Sequence, residues 1–88
     1  MAAVKLFGNL RSRVNASHLQ ISGASIRAVV ENLCGAYPSL GETLLEDGQI
    51  RPHFKITING HDIQLAQGLD TGVDEQDQIA IFSPIAGG

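Results

Sequence analysis

The chain opens on an alternating segment, "VKLFG". Val4 and Leu6 point to one side and Lys5 and Phe7 to the other, which predicts a strand. The polar run from Asn9 to Ser17 has no periodicity and reads as a loop or hairpin connection. "HLQIS" alternates again, with Leu19 and Ile21 on one face, and predicts a second short strand. The period then changes. In "SIRAVVENLCGAYP", Ile26, Val29, Val30, Leu33, Cys34 and Tyr37 fall at i, i+3, i+4, i+7, i+8 and i+11, one stripe of an amphipathic helix. Ser25 is placed to cap it by accepting from a first-turn amide, and Gly35 and Pro38 are stop signals.

"SLGETLLEDGQ" carries Leu40, Leu44 and Leu45 at helical spacing, enough for about two turns, before Asp47-Gly48 breaks it. "HFKITINGHDIQL" is a hairpin signal. Phe54, Ile56 and Ile58 alternate with Lys55 and Thr57, Asn59-Gly60 supplies the tight turn, and Ile63 and Leu65 resume the apolar pattern. "AQGLDTGVDEQD" is loop-like, anchored by Leu69 and Val73, and "QIAIF" is the last strand. The single amphipathic helix cannot bury its stripe alone, so it must lie across one face of a sheet built from these strands.

The last strand is apolar on both sides: Ile79 and Ile81 share one face, Ala80 and Phe82 the other. Such a strand is either buried on both faces or central with its outer face open to a partner. In the second case Phe7 and Phe82 form an exposed apolar patch of the kind that marks interaction sites. In the first, a loop folds over them.

Composition narrows the classes. Eighty-eight residues with 43% hydrophobic and 17% charged positions suit one small globular domain. A net charge of −3 argues against nucleic acid as a main partner. The local basic group of Arg51, His53 and Lys55, with Arg11 and Arg13, reads as solvated surface or a minor docking patch. Cys34 is the only cysteine, so no intrachain disulfide is expected, and on the helix stripe its thiol acts as a small buried hydrophobe. The start lacks a signal-peptide pattern, and no apolar run reaches membrane-spanning length, so no membrane association is expected and the cytoplasm is the expected location. His18, His53 and His61 have no metal-ligand spacing, so no metal is expected. Asp70, Asp74, Glu75 and Asp77 form an acidic stretch that reads as a solvated turn or a contact for a basic partner. No phosphate-cradling loop or nucleophile elbow is present, so the chain does not read as an enzyme.

The segment after the last strand is different. With glycine usage near 7%, a Gly-Gly pair at the end arises by chance in roughly one chain in 200. Pro84 cannot donate to a ladder and helps to end pairing. Ser83 to Gly88 can span about 20 Å when extended. Ile85 can anchor this tail in an apolar groove, Ala86 is small, and Gly87 and Gly88 can pass where a β-carbon would clash. The reactive group at its tip is the α-carboxylate of Gly88. A carboxylate is a poor electrophile until it is converted, by another enzyme with ATP, to an acyl-adenylate open to attack by sulfur or nitrogen.

The order of elements together with "IFSPIAGG" resembles the ubiquitin-like sulfur carriers. That family includes the small subunit of molybdopterin synthase, the thiamin sulfur carrier and the thiocarboxylate donor of an alternative cysteine pathway. The resemblance covers nearly the whole chain, from "VKLFG" through "SIRAVVENLCGAYPSL" and "ITINGHDI" to "LDTGVDEQDQIAIFSPIAGG". It implies an α+β, β-grasp (ubiquitin-like) fold, with a mixed sheet of four to five strands packed on one main helix. Residues 1–82 would be the β-grasp domain and 83–88 a flexible Gly-Gly tail. It implies that Gly88 is adenylated by a ubiquitin-activating-type adenylyltransferase that uses ATP, then converted to a thiocarboxylate, –COSH. No cofactor would be held stably. Phe7, Phe82, Pro84, Ile85, Ala86 and Gly87 would contact partners, and the tail would enter a sulfur-accepting enzyme such as a molybdopterin synthase large subunit. Ser83, where such carriers often have a second proline, and Gln76-Asp77, where they often have Gly-Asp, depart from the pattern. "RPHFKITINGHDIQ" is equally similar to the cysteine-pathway carriers. The alternatives are sulfur donation in cysteine or thiamin biosynthesis, a protein modifier joined to lysines through Gly88, or a binding module whose glycines are incidental.

Overall fold

The structure is a computed structural model and describes residues 2–7, 10, 18–47, 49–51 and 54–82. Strands β1 (Ala2–Leu6) and β2 (His18–Ile21) pair antiparallel, with Val4 opposite Leu19. Helix α1 (Ile26–Ala36) and the shorter α2 (Pro38–Leu44) follow. A two-residue hairpin comes next, β3 (Leu45–Glu46) and β4 (Gln49–Ile50), and then β5 (Lys55–Ile58), β6 (His61–Asp62) and β7 (Gln78–Phe82). The five-stranded sheet has the order β2-β1-β7-β5-β6. The last strand is therefore central, parallel to β1 and antiparallel to β5. This mixed sheet under one main helix is the β-grasp arrangement that the resemblance implies.

The helix forms where the 3.6-residue stripe places it. The Ser25 hydroxyl accepts from the Ala28 amide at 3.1 Å, satisfying a first-turn donor. Ile26, Val29, Val30 and Leu33 are buried. They meet Val4 and Leu6 of β1, Ile56 of β5, and Ile79 and Ile81 of β7 in one core. Each such side chain contributes about 1.5–3 kcal/mol on burial. Cys34 and Tyr37 complete the stripe at its margin, partly buried. The segment before β7 is stitched to the helix start: Ile26 N donates to Thr71 O at 2.9 Å, and Val73 N to Ala24 O at 2.9 Å. That fixes Val73 and Leu69 as the anchors expected of them. Gly23 permits the tight approach. It has φ +153, and a Cβ there would lie 2.7 Å from the backbone nitrogen of Val29.

Several local expectations are corrected. Gly35 does not end the helix; it is helical, and the chain leaves the helix at Tyr37 so that Pro38 can open α2. Pro38 is suited to a first helical position, where its missing N–H is not needed. Leu45 lies outside the short helix, in β3, where it pairs with Ile50 across Asp47. Leu65 is 86% exposed. The strand it was expected to extend stops at Asp62, whose carboxylate accepts from the Gln64 amide at 2.8 Å and opens a 3-10 turn over Ile63–Leu65 instead. Leu10, within the run read as polar connection, is a fully buried core residue. The rest of that run, residues 11–17, lies outside the described residues, as does the tail 83–88, so β7 is the last element described.

Candidate functional site

The candidate site is built at the C-terminal end of β7. Register decides which side chains share its outer face. Ala80 is opposite Lys5 of β1 and Thr57 of β5, and Phe82 is opposite Lys55. Phe7 N donates to Ile81 O at 3.1 Å, which holds Phe7 beside the strand end. The Phe7 and Phe82 rings stack, with centroids 4.8 Å apart and planes inclined by 14°. Phe7 is 38% exposed and Phe82 only partly buried. Among the described residues, then, no loop closes over the pair, and the outer face presents an apolar spot. The exposed Lys5 and Lys55 lie on the same face. Inward, Ile79 and Ile81 of the same strand are buried.

Of the residues singled out in the sequence, the structure brings Phe7 and Phe82 together. Pro84, Ile85, Ala86, Gly87 and Gly88 lie outside the described residues. The flanking lysines were not read from the sequence as part of the site. Their signal was the same alternation that placed the phenylalanines.

The other end of β7 is held by polar bonds. Asn59 Nδ2 donates to Asp77 Oδ1 at 2.9 Å, and Asn59 Oδ1 accepts from the Gln78 amide at 2.9 Å. Asp77 Oδ2 accepts from the Asp74 amide at 2.8 Å. The Asp74 amide, and after it the Asn59 side chain, hold the Asp77 carboxyl below its ordinary range. Asp70 pairs with Arg27 at 3.1 Å. Part of the acidic stretch is therefore structural, tied to the helix and to the β5–β6 turn.

The remaining candidates are modest. Burial pushes the Cys34 thiol up, away from the reactive thiolate. Arg51 lies 3.8 Å from Glu46 and Lys55 lies 3.5 Å from Asp62, while Arg11, Arg13 and His53 lie outside the described residues. Among the described residues no three His, Cys, Asp or Glu side chains gather as a metal set. No helix among the described residues is long and apolar enough to cross a membrane.

A mixed five-stranded sheet grasping one main helix, with an aromatic spot at the end of its central strand, is the architecture of a ubiquitin-like protein. Residues 4–88 match the ThiS family, and the chain belongs to that family of ubiquitin-like sulfur carriers. It is 34% identical over 65 residues to small archaeal modifier protein 3 of Haloferax volcanii, covering 74% of this chain and 71% of that protein. It is 29% identical over 70 residues to the sulfur carrier protein CysO of Mycobacterium tuberculosis, covering 76% and 75%. The solution structure of small archaeal modifier protein 1 from Methanosarcina acetivorans superposes with a TM-score of 0.90 at 33% identity, covering 99% of this chain and 95% of that one. The chain is thus a small protein that acts with partner enzymes and is not itself a catalyst.

Proposed function

We propose that the chain carries sulfur on the α-carboxylate of Gly88. A ubiquitin-activating-type adenylyltransferase attacks ATP with that carboxylate, releasing pyrophosphate and leaving a Gly88 acyl-adenylate. A donor persulfide then displaces AMP to give an acyl disulfide, and a thiol cleaves its S–S bond, leaving –COSH on Gly88 and a disulfide on the donor side. The observation that carries this reading is the ThiS family match, which runs through Gly88 itself. The chain's own contribution is geometric. Gly87 and Gly88 bring no side chain into the partner's active site, and Pro84, Ile85 and Ala86 form the approach. The Phe7–Phe82 spot at the end of β7 docks the domain so that the tail points into that site. ATP is the activating partner's substrate, and no cofactor is held by this chain. The acceptor is a cytoplasmic enzyme of the molybdopterin synthase large-subunit kind, with cysteine- and thiamin-forming enzymes as the alternatives.

Incubation with the cognate activating enzyme, ATP and a sulfur source is expected to change the intact mass by one oxygen-for-sulfur exchange. Deletion of Gly88 should abolish it. No exchange with a partner that demonstrably adenylates the chain would overturn sulfur carriage. A second reading, conjugation to lysines through Gly88, is favoured by the likeness to a protein named as a modifier. It predicts isopeptide-linked species after capture from cells, and their absence would remove it.

A further inference from the structure

Beside β5, on the side away from β7, the sheet is incomplete. β6 pairs only with Thr57 and Ile58, then turns into the 3-10 segment at Ile63. Among the described residues no strand covers the outer edge of β5 at Lys55 and Ile56. A cavity of about 620 Å³ opens there, between this edge, β4 and the start of α1. Its apolar lining is Ile50, Phe54, Ile56, Ile63 and Leu69. Its charged lining is Arg27, Arg51 and Lys55, against the single carboxylate of Asp62. A chain of net charge −3 thus gathers half of its six lysines and arginines around one apolar hollow.

The chain's own carboxylates serve these cations poorly. Arg27–Asp70 and Lys55–Asp62 are 3.1 and 3.5 Å pairs whose cationic side chains are 51% and 62% exposed. Exposed pairs of this kind exchange partners at little cost. Arg51 is the least satisfied. Nη1 is 3.8 Å from Glu46, Nη2 is 3.5 Å from the Glu42 carbonyl, and Nε is buried with no hydrogen-bond partner among the described residues. The unserved Nε is uncommon, and the Nη atoms of this partly exposed side chain, held only at 3.5 and 3.8 Å, leave its planar fork able to take an incoming carboxylate in bidentate fashion.

We propose that this cavity docks an extended acidic segment of a partner protein, which runs along the uncovered edge of β5. One apolar side chain of the segment would enter the hollow, and flanking carboxylates would meet Arg27, Arg51 and Lys55. Addition of a strand at a free edge gives main-chain bonding, and the hollow with its charged rim gives selectivity. The cavity adjoins the Phe7–Phe82 spot through Lys55, which borders both, but it does not depend on the chemistry proposed for Gly88.

The test is an amide-resolved NMR titration of the full chain with a synthetic pentapeptide, two acidic residues on each side of one isoleucine. Saturable shifts are expected at Ile50, Lys55, Ile56 and Gln64. Affinity should fall at least about fivefold when the peptide's isoleucine becomes glycine, and by a similar factor for Arg27→Glu or Arg51→Glu. Arg27 is exposed enough for its variant to fold even where the Arg51 variant does not. No shift up to about 5 mM peptide, shifts confined to the β2 edge, or equal response to inorganic phosphate alone would each overturn the proposal.

Discussion

The two ends of β7 are built from different interactions, and the contrast separates folding from function. At its entrance the strand is latched by polar bonds among Asn59, Asp74, Asp77 and Gln78. At its exit the described side-chain contact on the outer face is the stack of Phe7 on Phe82. The entrance bonds support the register that buried Ile79 and Ile81 also require, and with a period of two that register turns Phe82 outward while Ile81 faces the helix. A slip of one residue would bury the Phe7–Phe82 spot and expose the core. The latch at one end therefore contributes to the surface at the other.

The sharpest way to break this contrast is to truncate neighbours in the same strand. Ile81→Ala removes a fully buried side chain and is expected to cost about 2–5 kcal/mol. Phe82→Ala loses a partly exposed ring and its stack, about 1 kcal/mol. Urea unfolding of the two variants measures both. Equal losses would show that the outer face belongs to the fold. A stable Phe82→Ala variant that no longer accepts sulfur from its activating partner would show that it belongs to docking.

The latch is tested next. Asn59 has φ 52 and Gly60 φ 84, the paired left-handed residues of a tight hairpin turn. Asn59→Gly keeps that backbone but removes both side-chain bonds to the start of β7. The expected loss is about 1–2 kcal/mol, with the intact-mass exchange at Gly88 preserved. Asn59→Ala should lose about 1 kcal/mol more, because its β-carbon opposes the left-handed turn. Indistinguishable glycine and asparagine proteins would mean that the turn backbone, and not the latch, sets register.

Much of this was legible because it depends on spacing. Two periods, 2 and about 3.6, placed β1, β2, α1, β5 and β7 and the apolar stripe of the helix. The same alternation offered Phe7 and Phe82 as one patch, either open or covered by a loop, and their exposure decides for open among the described residues. What escaped depends on single polar groups. Asp47-Gly48 carries the same hairpin signal as Asn59-Gly60, yet beside helical leucines it read only as a helix breaker. One carboxylate, Asp62, cut short β6 and left Leu65 exposed, and that truncation opens the cavity beside β5. No periodicity encodes where an Asp side chain will outbid a strand for an amide. Leu10 escaped for a related reason, being one apolar position in a run without a repeat.

The smallest expected effect concerns the charge within the latch. The Asp77 carboxylate accepts from the Asp74 amide and from Asn59, and both bonds favour its ionised form. Its folded pKa lies below the ordinary aspartate value, about 3.9, so the unfolded chain takes up the proton first as pH falls. The stabilisation is full above that ordinary value and is lost as acidification passes through the lower folded pKa. Asp77 is only partly buried, so solvent screens the effect. The difference between parent and Asp77→Asn is the informative quantity, because it isolates this one carboxylate. Thermal unfolding from about pH 5 to about pH 3 should show the parent losing its advantage over the variant as pH falls. Parallel curves would remove the charge of Asp77 from the latch, and leave the Asn59 contact to Gln78 as the bond that holds the entrance of β7.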